Sequence, residues 1–200
     1  MNSKITIGIT GGIGSGKSMI CRLIDTMGYP VFYSDTEAKR LLIEDSQLRD
    51  KVIQIFGEKA YDNTTLNRSF IAQQIFTNPA KKELLEGAVH PSVRKAFKQW
   101  SQTQATEFVF NEAAILFETG SYKNFHHTLL VCSPIELRIE RIKKRDGISE
   151  EEIRHRINNQ WSDEQKMKLA DFVIQNNEKQ LLIPQVIETL EKLKQLHENI

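Results

Sequence analysis

The sequence predicts an α/β fold: a parallel sheet flanked by helices, with a helical insertion and a helical flap added to it. Three observations predict it. The β-rich run Ile5-Thr6-Ile7-Gly8-Ile9-Thr10 leads through a glycine-rich stretch into Met19, Ile20, Leu23, Ile24 and Met27, which recur at helical spacing. Further short apolar runs, Val31-Phe32-Tyr33, Phe108-Val109-Phe110, Thr128 to Cys132 and Ala170 to Ile174, are separated by helical patterns. Residues 41 to 105 look mainly helical, with no strand alternation.

The glycine-rich stretch is Gly11-Gly12-Ile13-Gly14-Ser15-Gly16-Lys17-Ser18, which fits the Walker A or P-loop pattern G-x-x-x-x-G-K-[ST]. Strand, glycine loop and helix are the setting that pattern requires. The glycines let the backbone curl with its N–H groups inward, where a Cβ would obstruct phosphates. The helix that follows adds unpaired N–H donors and the positive end of its dipole. Lys17 is placed to reach the β- and γ-phosphates of ATP, and the Ser18 hydroxyl to ligate Mg²⁺. The motif thus makes Gly12, Ile13, Gly14, Ser15, Gly16, Lys17 and Ser18 candidate ATP-binding residues.

Composition bounds the rest. Two hundred residues suit one compact unit with a small inserted subdomain. The net charge of +1 gives no global field toward nucleic acid or membrane, so any basic site is local. No apolar run approaches membrane-spanning length and no signal peptide is evident, so a cytoplasmic protein is expected. Cys21 and Cys132 belong to no metal or redox spacing and read as two buried thiols.

Gly28, with Pro30 beyond it, should end the first helix. Ser34-Asp35-Thr36-Glu37 fits a capping box with Ser34 as N-cap. Asp35 then stands between a strand's C-terminal edge and a helix N-terminus, the edge where open parallel sheets bind ligands. It either favours the helix dipole or faces the phosphate site, taking a hydroxyl proton or holding Mg²⁺; the P-loop beside it favours the second. In the helical stretch, Asn67 is a candidate cap for residues 70 to 76, and Asn78-Pro79 reads as N-cap and first residue of another helix. His90-Pro91-Ser92-Val93-Arg94 interrupts the helical pattern; a surface histidine and a solvated arginine are the default reading there.

Glu112, after the strand at 108–110, resembles the acidic residue of a Walker B site and is a candidate for holding a metal-bound water. Ser133-Pro134 opens a helix on which Arg138, Arg141 and Arg145 share one face. A solvated charged face explains such a run; so does an arginine lid closing on a triphosphate. Asp146-Gly147 breaks that helix, and Ser149 to Glu152 fits a second capping box. Val186, Ile187, Leu190, Leu193 and Leu196 form the core stripe of a last helix. Together these parts describe a small P-loop, nucleotide-kinase-like phosphotransferase.

At this point the chain resembles the dephospho-CoA kinase family over nearly its whole length. The resemblance rests on Ile9 through Ser18, Ser34-Asp35, His90-Pro91 with Arg94, Leu116-Phe117-Glu118, Arg141 with Arg145-Asp146-Gly147, Gln160, and Ala170-Asp171 through Asn176. It implies transfer of the ATP γ-phosphate to the ribose 3′-hydroxyl of dephospho-coenzyme A, the last step of coenzyme A synthesis. It implies a nucleotide core over about residues 1–40, 106–137 and 169–200, a helical insertion for the CoA precursor over about 41–105, and a lid over about 138–168. By that resemblance Asp35 looks like the general base, and Lys17 and Arg141 like γ-phosphate stabilisers. His90, Arg94, Leu116 and Phe117 fall on the acceptor side, and Met19, Arg145 and Asn177 on the ATP side. Mg²⁺ is the expected cofactor, and a monomer or weak homo-oligomer the expected state.

The chain departs from the family pattern at Tyr33, where an Asp is usual, and at Met19, Ala114, Arg138 and Gln175. Asp35 is thereby the single carboxylate of its pair. Another small-molecule or nucleoside-monophosphate kinase with the same core is the alternative. A regulatory GTPase would need an N-K-x-D motif, which the sequence lacks.

Overall fold

The computed structural model describes residues 4–197; the outermost residues of the expected core ranges lie outside it. In chain order the elements are β1 (Ile5–Thr10), α1 (Lys17–Thr26), β2 (Val31–Tyr33), α2 (Ser34–Glu44), α3 (Ser46–Phe56), β3 (Tyr61–Asp62), β4 (Thr65–Leu66), α4 (Arg68–Thr77) and α5 (Pro79–Thr103). Then follow β5 (Phe108–Glu112), β6 (His127–Cys132), α6 (Ile135–Asp146), α7 (Glu150–Asn158), α8 (Asp163–Met167), β7 (Phe172–Gln175) and α9 (Leu182–His197). They form two compact units, one running to Phe32 and resuming at Gln104, the other spanning Tyr33–Thr103.

The first unit holds a five-stranded sheet of order β2-β5-β1-β6-β7. β1 pairs in parallel with β5 and with β6, and β6 with β7. The period-two alternation of a strand sorts the side chains onto two faces. Ile5, Ile7, Ile9, Leu129 and Val131 face Ile20, Cys21 and Ile24 of α1 and Val186, Leu190 and Leu193 of α9. Leu130 and Cys132 point the other way, to Phe117 and Tyr122. Burial pushes both thiols up to about 12, aided by Glu112 at Cys21 and Asp163 at Cys132. Both cysteines are free and buried, as read from the sequence.

The terminal stripe of α9 is narrower than its sequence suggested. Ile187 and Leu196 are exposed, whereas Val186, Leu190 and Leu193 enter the core cluster against the sheet. Met19 likewise lies on the outer side of α1. Among the described residues no helix is long and apolar enough to cross a membrane.

The second unit packs α2, α3, α4 and α5 around Leu41, Leu48, Val52, Phe56, Ile71 and Ala88. Asp45 caps α3 by accepting from the Leu48 N–H at 3.1 Å, and Asn67 caps α4 by accepting from the Phe70 N–H at 3.1 Å. Three local features differ from the sequence reading. The pair β3–β4 is an antiparallel hairpin within the stretch read as helical. Its strands are two residues long, too short for alternation to register, and Asn63 turns it at φ 55°. No capping box forms at Ser34: α2 begins at Ser34 itself, and Glu37 pairs with Arg40 at 2.6 Å instead. Pro91 does not break its helix. α5 runs through it, and the Ser92 hydroxyl donates back to the Ala88 carbonyl at 3.4 Å.

Candidate active site

The P-loop joins the C-terminal end of β1 to α1. Gly14 and Gly16 adopt φ +78° and +93°, the left-handed region that a side chain disfavours. The Ser15 N–H donates to the Gly12 carbonyl at 3.0 Å, closing a tight turn. Lys17 opens α1, and its Nζ donates to the Gly11 carbonyl at 2.8 Å, holding the ammonium across the loop. Ser18 and Met19 follow on the exposed first turn, where the helix N–H groups lie. Ser15 is fully buried beneath the loop.

The ends of the neighbouring strands close on this loop. After β7, the Asn176 side-chain amide donates to the Ser15 carbonyl at 2.8 Å. Its N–H donates to the Cys132 carbonyl at 2.8 Å, tying the ends of β6 and β7 together. Arg141 of α6 donates to the Ser133 hydroxyl at 3.0 Å and to the Asn176 Oδ1 at 3.3 Å, and pairs with Glu178 at 2.8 Å. Arg141 is therefore a half-buried cation fixed at the edge of the P-loop. Arg145, one turn on, is exposed and pairs with Asp146 at 2.7 Å. The Asn177 Oδ1 accepts from the N–H groups of Lys179 and Gln180, so that oxygen shapes its own turn.

Glu112 ends β5 opposite Ile9 of β1, and both Glu112 and Lys17 act electrostatically on the Cys21 thiol. Glu112 and Lys17 thus both lie near α1, whose first turn carries the Ser18 hydroxyl. The donor set of Ser18 and Glu112 is hard oxygen, which suits Mg²⁺ that takes its remaining ligands from phosphates and water.

Two residues expected on the acceptor side lie in the core. Leu116 and Phe117 are each 1% exposed. Phe117 packs on Tyr122 at 5.3 Å between ring centroids and against Leu130 and Cys132. Burial of this apolar pair stabilises the segment. Glu118, next in the same segment, carries the polar work. Its Oε1 lies 2.7 Å from the Nζ of Lys166, which is 0% exposed, and accepts from the Trp161 N–H at 3.2 Å. No local pattern marks Lys166 as buried, because a lysine in a charged helix ordinarily faces solvent. Arg138, which the sequence places on a charged helix face, is buried as well. Burial pushes its guanidinium below the usual range, against the opposing pull of Asp163.

Asp35, His90 and Arg94 belong to the second unit. Asp35 is exposed as the second residue of α2. His90 and Arg94 lie on α5 at a spacing of four, which puts them on one helix face.

A model of the dephospho-CoA kinase family matches residues 5–181. The chain belongs to the dephospho-CoA kinase family. It is similar to the dephospho-CoA kinase of Bacteroides fragilis (strain YCH46), 39% identical over 192 residues, covering 96% of this chain and 94% of that one. It is also similar to the dephospho-CoA kinase of Salinibacter ruber, 40% identical over 176 residues, with 86% and 88% covered. Among solved structures, TT1252 from Thermus thermophilus superposes with a TM-score of 0.82 at 33% identity, covering 96% of this chain and 97% of that one. The dephospho-CoA kinase from Campylobacter jejuni superposes with 0.69 at 25% identity, covering 96% and 98%. As a member of this family the chain is a kinase, and its mostly parallel sheet is the P-loop kinase fold.

Proposed function

We propose that this chain transfers the γ-phosphoryl group of ATP to the ribose 3′-hydroxyl of dephospho-coenzyme A, giving coenzyme A and ADP in the cytoplasm. The observation that carries the proposal is the joining of Lys17, Arg141 and Asn176 around one P-loop in a chain of this family. Phosphoryl transfer asks little covalent chemistry of the protein; positioning and neutralised charge do most of it. The N–H groups from Gly14 to Met19 bind the phosphates. Lys17 and Arg141 face the charge that builds on the transferred group. Asp35 takes the proton of the 3′-hydroxyl as its oxygen bonds to phosphorus and the bond to the ADP oxygen breaks.

Ser18, through its hydroxyl, and Glu112 would hold Mg²⁺, which would supply charge neutralisation on the phosphates. His90 and Arg94 bind the acceptor within an insertion over about residues 41–105. Residues 138–168 act as the lid, with Arg145 and Asn177 on the ATP side. The protein works as a monomer or weak homo-oligomer.

The test is ATP consumption with Mg²⁺ and dephospho-CoA, adenosine, AMP or no acceptor. Turnover with dephospho-CoA alone, and a product of coenzyme A mass, is the expected result. ATP binding with no such turnover would overturn the acceptor assignment and point to another small-molecule kinase.

A further inference from the structure

The Ile13 residue at the tip of the P-loop is gripped on both of its peptide groups from outside the loop. Its N–H donates to the Oε1 of Gln160 at 2.8 Å, and its carbonyl accepts from the Nε of Arg138 at 2.8 Å. Gln160 follows α7; Arg138 lies in α6. Neither belongs to the P-loop pattern.

Arg138 is built in rather than resting on the surface. It is 4% exposed. Its Nη2 lies 2.2 Å from where a Cβ on Gly12 would stand, so only a glycine there admits the guanidinium. Its Nη1 faces the Oδ1 of Asp163 at 3.5 Å. Asp163 is the first residue of α8, a helix fixed by a reciprocal Ser162–Gln165 capping box and by the buried Lys166–Glu118 pair. A continuous set of contacts therefore runs from Glu118 through α8 and Arg138 to the Ile13 carbonyl.

The grip has a geometric consequence. Gly12, Ile13, Gly14 and Ser15 form a four-residue turn closed by the Ser15 N–H on the Gly12 carbonyl. Gly14, third in the turn, has φ +78°, as the type II form requires. Rotating the central Ile13–Gly14 peptide interconverts the type I and type II forms, and with it the direction of the Gly14 N–H. No peptide bond among the described residues is cis, so the Ile13 carbonyl and the Gly14 N–H point opposite ways. Holding the carbonyl on Arg138 therefore sets the N–H on the other side.

We propose that Arg138 and Gln160 are positioning residues of the phosphate cradle, holding the two Ile13 peptides so that the Gly14 N–H is aimed at the nucleotide's phosphates. The proposal rests on the kinase reading. It makes the α7–α8 segment part of what preorganises the P-loop, so that no binding free energy is spent on turning the peptide.

The test is calorimetric titration of the full chain with Mg·ADP for Arg138→Met, Arg138→Lys and Gln160→Leu, with melting temperature and dephospho-CoA affinity measured alongside. Arg138→Met and Gln160→Leu are expected to weaken ADP about tenfold or more while dephospho-CoA affinity stays within about twofold, the loss expected for a charge-assisted or buried donor contact. Arg138→Lys is expected to regain part of the ADP affinity, since an ammonium still donates to the Ile13 carbonyl. In labelled protein the Gly14 amide resonance should shift in both disabling variants. Unchanged ADP affinity in the folded variants would overturn the proposal. So would equal losses for ADP and dephospho-CoA that track the fall in melting temperature, which is what a purely structural role produces. Should Arg138→Met not fold, the half-exposed Gln160 position carries the same readout. A wild-type chain that binds ADP but turns over no dephospho-CoA would sink the acceptor assignment and leave this test intact.

Discussion

The side-chain amide of Asn176 donates to the Ser15 carbonyl at 2.8 Å, across 161 positions of sequence. The same nitrogen lies 2.1 Å from where a Cβ on Gly16 would stand. One contact therefore ties the end of β7 to the P-loop and dictates the residue at Gly16.

This contact makes Gly16→Ala unfavourable twice, through a clash with Asn176 and through φ +93°. Asn176→Ala should cost about 1–3 kcal/mol by stranding the Ser15 carbonyl. The double variant should recover the clash but keep the backbone strain of about 1–2 kcal/mol. Urea unfolding of the three variants checks this. Full additivity of the single losses would show that the two groups do not meet.

The Lys166–Glu118 pair sets up a second expectation. Lys166 is fully buried, and one oxygen of Glu118, Oε2, is buried as well. Lys166→Met leaves a buried carboxylate uncompensated and should destabilise by about 3–5 kcal/mol. Adding Glu118→Met should restore a large part. Restoration should stop short of complete because the Trp161 N–H then loses its acceptor. A Lys166→Met variant as stable as wild type in urea would contradict the pairing.

Acid should weaken the fold through His127. Its Nε2 meets the Nε2 of His197 at 2.8 Å. Burial holds His127 below its ordinary value, with Asp171 opposing and His197 adding to the depression. Unfolded, the ring takes its proton near about pH 6.5. Below that pH the unfolded chain binds more protons than the folded one, so stability falls as pH falls and is fully present above it. Melting temperature followed from pH 8 to pH 5 checks the slope, and His127→Gln should flatten it.

The proposed chemistry separates Asp35 from Arg141. Asp35→Asn should leave ATP affinity within a few-fold while lowering turnover by a factor on the order of 10² or more. Arg141→Ala should lower kcat more than it weakens acceptor binding, as loss of a transition-state contact does. Near-normal turnover in the first, or a pure rise in acceptor KM in the second, would remove the residue from its assigned role.

Much of this protein was legible without coordinates, because the signals were local. The P-loop, the strand runs, the Asn67 and Asn78 caps and the Gly28 and Gly147 helix ends depend on dihedral preference and periodicity within a few residues. Those same local rules misread Ser34 and Pro91. At Ser34 the Glu37 side chain found Arg40, and at Pro91 the rest of a long, packed helix carried the chain through a missing donor.

The tertiary structure alone decided which polar residues face inward. Arg138 reads in the sequence as part of a charged helix face, and nothing local marks Lys166 as buried or Asp163 as a partner for Arg138. Only the fold puts a carboxylate against Lys166, a P-loop carbonyl against Arg138, and a ring against Phe117. A buried charge is tolerated when its partner is brought to it from far along the chain, and no local pattern encodes where that partner stands.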